Sequence, residues 1–501
     1  MNCQRRVFLA STAAGLGLSS VLRTLGPLKA DDLSVTGGIA RMSAGIEPLV
    51  RFLEDTPRDR IIEETARRIK DGLSYRELLA ALLLAGVRNV QPRPSVGFKF
   101  HAVLVVNSAH LASLSGLDEE RWLPILWAVD NFKSSQARDE QEGNWTLPAV
   151  DEASVPPPAR AESMLRKALD DWDESAADVA ITSAVRNWGA NQVFDVLAEY
   201  AARDFRSIGH KVIYLSNAYR TLQTIGWEYA EPVMRSLVYA MLNHHGEPNP
   251  SSHDLAPDQA GRENRERVQQ LQAITLGAVQ DDGVAKSIVR TLHDVDAQQA
   301  SGQMADLLSS GASLGSLWDG LFASAAGLLM RQPGIVALHA VTTTNAMRYV
   351  FDTTSNPTTR KFVLLQNASF LSMFREAAQD RGDLQDVRID ELESSVAADA
   401  VPSVEEAFDA MGTSRKTAAE KLYQILSSGG DPRSVVDHAR RLVFLKGDDS
   451  HDYKFSSAAL EDYRRLSPNW RNRFLAASMY QLCSPHQSTR SLVKRIENAI
   501  G

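Results

Sequence analysis

Apolar residues recur at i, i+3, i+4 and i+7 along most of the chain, as in segments 61–69, 78–87 and 233–242. That spacing marks one buried face of an α-helix. Alternating β-branched runs closed by Asn-Gly or Asp-Gly turns, the usual mark of a hairpin, do not occur. The expected fold is therefore all-α. Three stretches interrupt the pattern and are read as long surface connections. They are an acidic segment over 137–162 containing Pro156-Pro157-Pro158, a polar one over 246–266, and an acid-rich one over 379–403.

A longer period overlies the helical one. Four times a helix ends near a glycine and another starts just beyond it: after Gly72 at Ser74-Tyr75-Arg76-Glu77, after Gly189 at Gln192-Val193-Phe194-Asp195, after Gly311 and Gly315 at Ser316-Leu317-Trp318-Asp319, and after Gly429-Gly430 at Ser434-Val435-Val436-Asp437. A glycine past a helix end permits the left-handed turn that closes it, and Ser-x-x-Asp/Glu is the spacing of a capping box. Gln192 is the departure.

Each of these helices is followed by one that is expected to open with histidine. His101, His210, His339 and His451 stand 109, 129 and 112 residues apart and align without gaps. Seven residues on come Ser108, Asn217, Ala346 and Ala458, all small or Asn. Positions i, i+4 and i+7 share a helix face, so Val105/Ser108, Tyr214/Asn217, Thr343/Ala346 and Phe455/Ala458 are expected beneath the histidines. His451 is the most divergent copy, because Asp452 and Lys454 make its helix more polar. The unit has about four helices, and the fold is expected to be a multihelical array of four divergent repeats of about 110–130 residues. The expected boundaries are 31–136, 163–245, 267–378 and 404–501 for the repeats, with the three polar segments as linkers and 1–30 as an export signal.

That signal begins with Arg5-Arg6 followed by Phe8-Leu9, then an apolar, small-residue stretch to Leu22 and a cleavable Leu28-Lys29-Ala30. The arrangement resembles the twin-arginine signals that direct folded proteins to the twin-arginine translocase and so to the bacterial periplasm; an ordinary secretory signal or an uncleaved anchor is the alternative. No later stretch is long and apolar enough to span a membrane, so no transmembrane segment is expected in the mature chain. The formal net charge of -8 argues against nucleic acid as a partner. Of the two cysteines, Cys3 lies in the signal and only Cys483 remains. An internal disulfide and a cysteine-based zinc or iron–sulfur site are both excluded for the mature chain.

The candidate chemistry is imidazole. If the units close on one another, His101, His210, His339 and His451 meet and can hold a transition metal such as iron, copper or zinc. The other reading of these histidines is a repeated packing role. Glu77, Asp195, Asp319 and Asp437 are candidate further ligands, although capping accounts for an acid at most of these positions. His110 falls on the opposite face from His101 in a regular helix. No phosphate loop, dinucleotide fingerprint, nucleophile elbow or His-Glu-x-x-His occurs.

The segment Gly209-His210-Lys211-Val212-Ile213-Tyr214-Leu215-Ser216-Asn217-Ala218 resembles the His-Pro-x-Ile-His-Leu-x-x-Ala signature of questin oxidase-like proteins, helical proteins linked to oxidation of polycyclic phenols. It departs from it at Lys211 and Tyr214. The resemblance implies an oxygen-using reaction on a small-molecule substrate and singles out His210. With Tyr214 and Asn217 below it on the same helix, His210 is the expected catalytic group. The function expected from the sequence is thus an exported metal- or cofactor-dependent oxidoreductase. The competing expectation is a non-catalytic helical scaffold for a protein or envelope component. Replacing Arg5 and Arg6 together by Lys, which lacks the guanidinium geometry, is expected to leave folded protein in the cytoplasm; cell fractionation measures this, and normal export of the variant would refute it.

Overall fold

The computed structural model describes residues 38–116, 120–271, 277, 279–393 and 401–501. The expected signal, with Cys3, Arg5 and Arg6, lies outside the described residues, as does 394–400 of the acid-rich segment. The described residues form 23 α-helices, and their only strand-like pairing is the isolated bridge between Ile39 and Pro148. Among them no helix is long and apolar enough to cross a membrane. The fold is all-α and multihelical, as the apolar periodicity predicts.

Four helices lie at the centre. The first is in two pieces, His101–Leu104 and Val106–Ser115; the others are His210–Ile225, Ile335–Thr353 and Ser450–Asp462. Each packs against the next, and the fourth packs back against the first, so they close into a ring. Each also carries its predecessor and successor in the chain on its outer side. These outer pairs are Tyr75–Asn89 with Leu123–Glu142, Ala190–Ala201 with Ala230–Met241, Leu314–Arg331 with Pro357–Gln379, and Pro432–Lys446 with Pro468–Ser478. The core follows from this double layer: Phe100, Tyr214, Phe322, Phe370 and Tyr453 are fully buried between ring and shell. Burial of such side chains stabilises by about 1.5–3 kcal/mol each.

Polar side chains tie the ring helices together. Asn217 Nδ2 donates to the Leu104 carbonyl at 2.9 Å, where the first helix is interrupted at Val105. A side chain taking a carbonyl from the helical ladder is a recognised cause of such breaks. Ser457 donates to the Ser108 carbonyl at 3.2 Å, and Asn345 Nδ2 reaches Glu461 at 3.0 Å and Asp462 at 2.8 Å.

The helix starts agree with the sequence in the first copy, and in the other three the N-cap lies three residues earlier than expected, at Gly189 in the second. Ser74 and Glu77 form a reciprocal capping box, and Gln192 reaches back to the Gly189 N–H. In the third copy the N-cap is Ser313, and Ser316 and Asp319 lie inside the helix. In the fourth the N-cap is Asp431, and Ser434 merely donates to the Asp431 carbonyl. Spacing alone misassigned all three, because a polar residue followed three positions on by Asp also fits the first turn inside a helix. His339 does not open its helix either: the helix begins one turn earlier at Ile335. The polar segment 246–266 includes most of a helix, Ala256–Gln270.

Ser74→Ala and Asp431→Ala are each expected to lower stability by about 0.5–2 kcal/mol, the loss typical of an N-cap. Ser434→Ala should stay within about 0.5 kcal/mol of the parent, as an exposed substitution away from a cap does. Urea unfolding of the three variants checks the assignment, and a Ser434→Ala cost equal to that of Asp431→Ala would contradict it.

Candidate metal centre

The four expected histidines meet at one end of the ring. Nε2 of His210 lies 2.9 Å from Nε2 of His101 and 2.9 Å from Nε2 of His339. The His451 ring closes the circuit, with its centroid 4.4 Å from that of His101 and 5.3 Å from that of His339. The diagonal pair His101 and His339 is wider, at 6.3 Å between centroids. The rings therefore stand at the corners of a square in chain order. One donor atom from each of His101, His339 and His451 falls within 4.8 Å of the other two.

What lies behind each ring fixes its tautomer. Nδ1 of His101 contacts the Phe98 carbonyl at 2.9 Å, Nδ1 of His210 the Ser207 carbonyl at 2.6 Å, and Nδ1 of His339 the Ile335 carbonyl at 2.6 Å. A carbonyl only accepts, so in these three rings Nδ1 carries the proton and, in the neutral ring, Nε2 is bare. Nδ1 of His451 faces the Asp449 carboxylate at 3.1 Å, and its Nε2 is buried without a partner. Bare lone pairs thus confront one another at 2.9 Å. Protonating a ring to supply a donor is opposed: burial pushes His101, His210 and His339 well below the ordinary imidazole value. The nearby Lys454 pushes the same way. A metal cation between the rings removes the conflict, and carbonyl or carboxylate acceptors behind ligating imidazoles are the usual outer support of such a site.

The local backbone is shaped to this end. Phe98 (φ 51°) and Ser207 (φ 54°), whose carbonyls hold His101 and His210, are both left-handed, as is the β-branched Ile208 (φ 46°). Such residues cost on the order of 1–3 kcal/mol each and persist where surrounding structure enforces them. Buried ion pairs do so here. Lys99 meets Asp139 at 2.8 Å and Glu142 at 2.9 Å, and Lys211 meets Asp204 at 2.9 Å. Gly209 (φ 78°) completes the second turn, and a Cβ there would overlap Thr343 of the third ring helix. Gly97 brings bare backbone over the outer side of the square; a Cβ on it would sit 3.2 Å from His210 Cε1 and 3.6 Å from His101 Cε1.

Below the square, a small cavity is lined at i+3 by Ile213, Thr342 and Lys454, and at i+7 by Ser108, Asn217, Ala346 and Ala458. All four histidines and all four i+7 residues face the same axis, so the ring helices run parallel. The inner face is i, i+3 and i+7. The i+4 positions expected there turn outward instead. Tyr214 donates to Ser236 at 3.0 Å in the outer shell and packs edge-to-face on Phe100, so its hydroxyl is spent away from the square. Asn217 lines the cavity while its amide holds Leu104.

The four candidate carboxylates are not at the square. Glu77 caps its helix, and Asp195 accepts from Thr354 and Ser355. Asp319 accepts from Gln280 and the Ser467 N–H, and Asp437 is exposed beside Arg440. His110 bonds to Tyr75 and Thr224, outside the square, even though its helix is interrupted. The residue that the sequence reading undervalued is Lys454, which is 2% exposed and whose amine burial pushes down to about 7. Its signal was present: it is the single charged residue in an i+3 column that otherwise reads Leu104, Ile213 and Thr342.

Comparison of the chain with protein-family models, curated proteins and solved structures finds no match.

The buried rings make the metal-free protein acid-sensitive. An unfolded chain takes up protons on histidine below about pH 6.5, whereas His210 and His339 resist protonation in the fold. Their contribution is complete above that pH. It is lost as pH falls toward the depressed folded values, by up to about 1.4 kcal/mol per pH unit for each ring. Urea unfolding of metal-free protein at pH 7.5, 6.5 and 5.5 should show this fall, and His210→Gln should make it shallower. Equal stability at the three pH values would contradict the neutral assignment.

Proposed function

We propose that this chain is a metal-dependent oxidoreductase whose centre is one transition-metal ion held by Nε2 of His101, His210, His339 and His451. The observation that carries the reading is the pair of 2.9 Å separations between bare Nε2 atoms, each ring held from behind through Nδ1. With metal–nitrogen bonds of about 2.0–2.1 Å, neighbouring ligands stand about 2.9 Å apart in a square plane and about 3.3 Å apart in a tetrahedron. The two 2.9 Å edges at His210 match the square-planar spacing and so favour tetragonal copper(II) over tetrahedral zinc. Of iron, copper and zinc, copper is the metal this geometry suits best, and the redox part of the reading follows from that choice.

Four neutral imidazoles would hold the ion without compensating its charge, and the ion would supply the redox chemistry toward a small-molecule substrate. The questin oxidase-like resemblance supports this reading only through His210, because Lys211 is engaged by Asp204 and Tyr214 by Ser236. Export through the twin-arginine route, which carries proteins folded around their metal, is part of the same proposal.

Protein produced with its leader and purified from the periplasm is expected to contain one transition-metal ion per chain by elemental mass spectrometry. His210→Ala should lose that metal while its circular dichroism stays helical, and His110→Ala should keep it. A parent protein that neither carries metal nor takes up copper(II) or zinc at micromolar concentration would end the proposal.

A further inference from the structure

A pocket of about 30 Å³ lies outside the third ring helix, between the helices Asp282–Leu292, Leu314–Arg331 and Pro357–Gln379 and the chain at 387–389. None of the four square histidines lines it. Leu328 and Leu371 belong to its apolar walls, and its charged lining residues are Arg331, Arg375 and Arg388; no acid joins them. Arginine is almost never fully buried unless paired. Arg375 is 8% exposed, yet its Nη1 is buried without a hydrogen-bond partner among the described residues. Nε of Arg331 and Nε2 of His293, which also lines the pocket, are likewise buried and unpartnered. Burial pushes the Arg331 guanidinium below its ordinary value, and Arg375 pushes it the same way against Asp294 and Asp386. The neighbouring acids hold other atoms of these residues. Glu376 meets Nη2 of Arg375 at 3.2 Å from an exposed position, Asp390 accepts from Arg388 at 3.2 Å, and Asp294 faces Nδ1 of His293 at 2.9 Å; Asp386 is exposed. Water can satisfy such donors, but it leaves like charges side by side in a partly desolvated place, and an anion neutralises them.

We propose that this pocket binds the carboxylate group of a small organic acid, taken between the guanidinium groups of Arg331 and Arg375. A volume of about 30 Å³ takes about two water-sized groups. That matches the two oxygens of a carboxylate and falls short of the four of phosphate. A guanidinium presents its donors in a planar fork that fits a carboxylate. Nη1 of Arg375 and Nε of Arg331 are the free donors, and Nε2 of His293 adds another when its ring is protonated. The apolar walls receive the hydrocarbon next to the carboxylate. The site stands on its own residues and does not depend on the metal reading.

The test uses the full chain and follows its urea unfolding in rising sodium acetate, against sodium chloride and sodium phosphate of equal ionic strength. Acetate is expected to raise the unfolding midpoint along a saturating curve, because a ligand that binds only the folded state stabilises it by mass action. Chloride and phosphate should raise it less. Arg375→Met and Arg331→Met, which keep the apolar stem but lose the donors, should each weaken acetate binding at least about tenfold, or about 1.4 kcal/mol; either serves if the other does not fold. His210→Ala should keep the parent's acetate curve, which separates the effect from the histidine square. An acetate curve equal to that of chloride, unchanged in the arginine variants, or lost in His210→Ala overturns the carboxylate site and leaves the metal centre standing. A larger response to phosphate than to acetate overturns the choice of carboxylate.

Discussion

Three backbone carbonyls decide what this molecule can do. By accepting from Nδ1 of His101, His210 and His339, the carbonyls of Phe98, Ser207 and Ile335 commit each ring to pointing a bare nitrogen inward. Without them each imidazole could rotate, exchange tautomers and satisfy its neighbour as a donor. With them the centre is a largely buried cluster of acceptors facing one another, an arrangement that a bound metal ion would relieve. The constraint reaches outward. Two of the three carbonyls belong to left-handed residues, and those turns are pinned by Lys99 and Lys211. Aromatic pairs pack beside the ring helices, Phe100 against Tyr214 at 5.0 Å and Trp127 stacked on Tyr453 at 4.2 Å.

The parallel ring of helices is what brings four such rings to one depth. A slip of one residue turns a side chain by about 100° and shifts it by about 1.5 Å, enough to remove it from the plane. His101 and His210 are the first residues of their helices, His451 the second and His339 the fifth. What is held constant is therefore the height of the imidazole on the common axis, not its distance from the helix start. The third helix compensates for its extra turn with an acceptor from that same turn, Ile335. The others draw on the chain before the helix or on the N-cap Asp449.

This explains which parts of the molecule were legible in its sequence. The helices were, because a 3.6-residue apolar period needs no partner to be recognised. The square was legible as a column of four histidines with a small residue seven positions on, a pattern that the common axis demands of each ring helix. The carboxylates misled. Ser-x-x-Asp fits a capping box and a helix interior equally well, and only the neighbouring chain shows that Ser313 and Asp431 are the caps. The inner face was misplaced by one position, at i+4, because both i+3 and i+4 lie beneath residue i in a straight helix and the ring geometry selects between them. The carbonyls behind the rings were beyond reach of the sequence, since a carbonyl belongs to every residue and only the backbone conformation aims it.

Near-equivalence of the four ring helices brings the four imidazoles together, whereas departures from it make the ring unsymmetrical. Lys454 breaks that equivalence in one column only, where the other three place Leu104, Ile213 and Thr342. The Gly97 backbone breaks it on the other side, pressing against two rings with no side chain between. The change that makes the fourth copy look degenerate in sequence is thus the one that distinguishes the faces of the square. A polar residue in a buried column is costly unless something meets it, and the Lys454 amine meets no hydrogen-bond partner among the described residues.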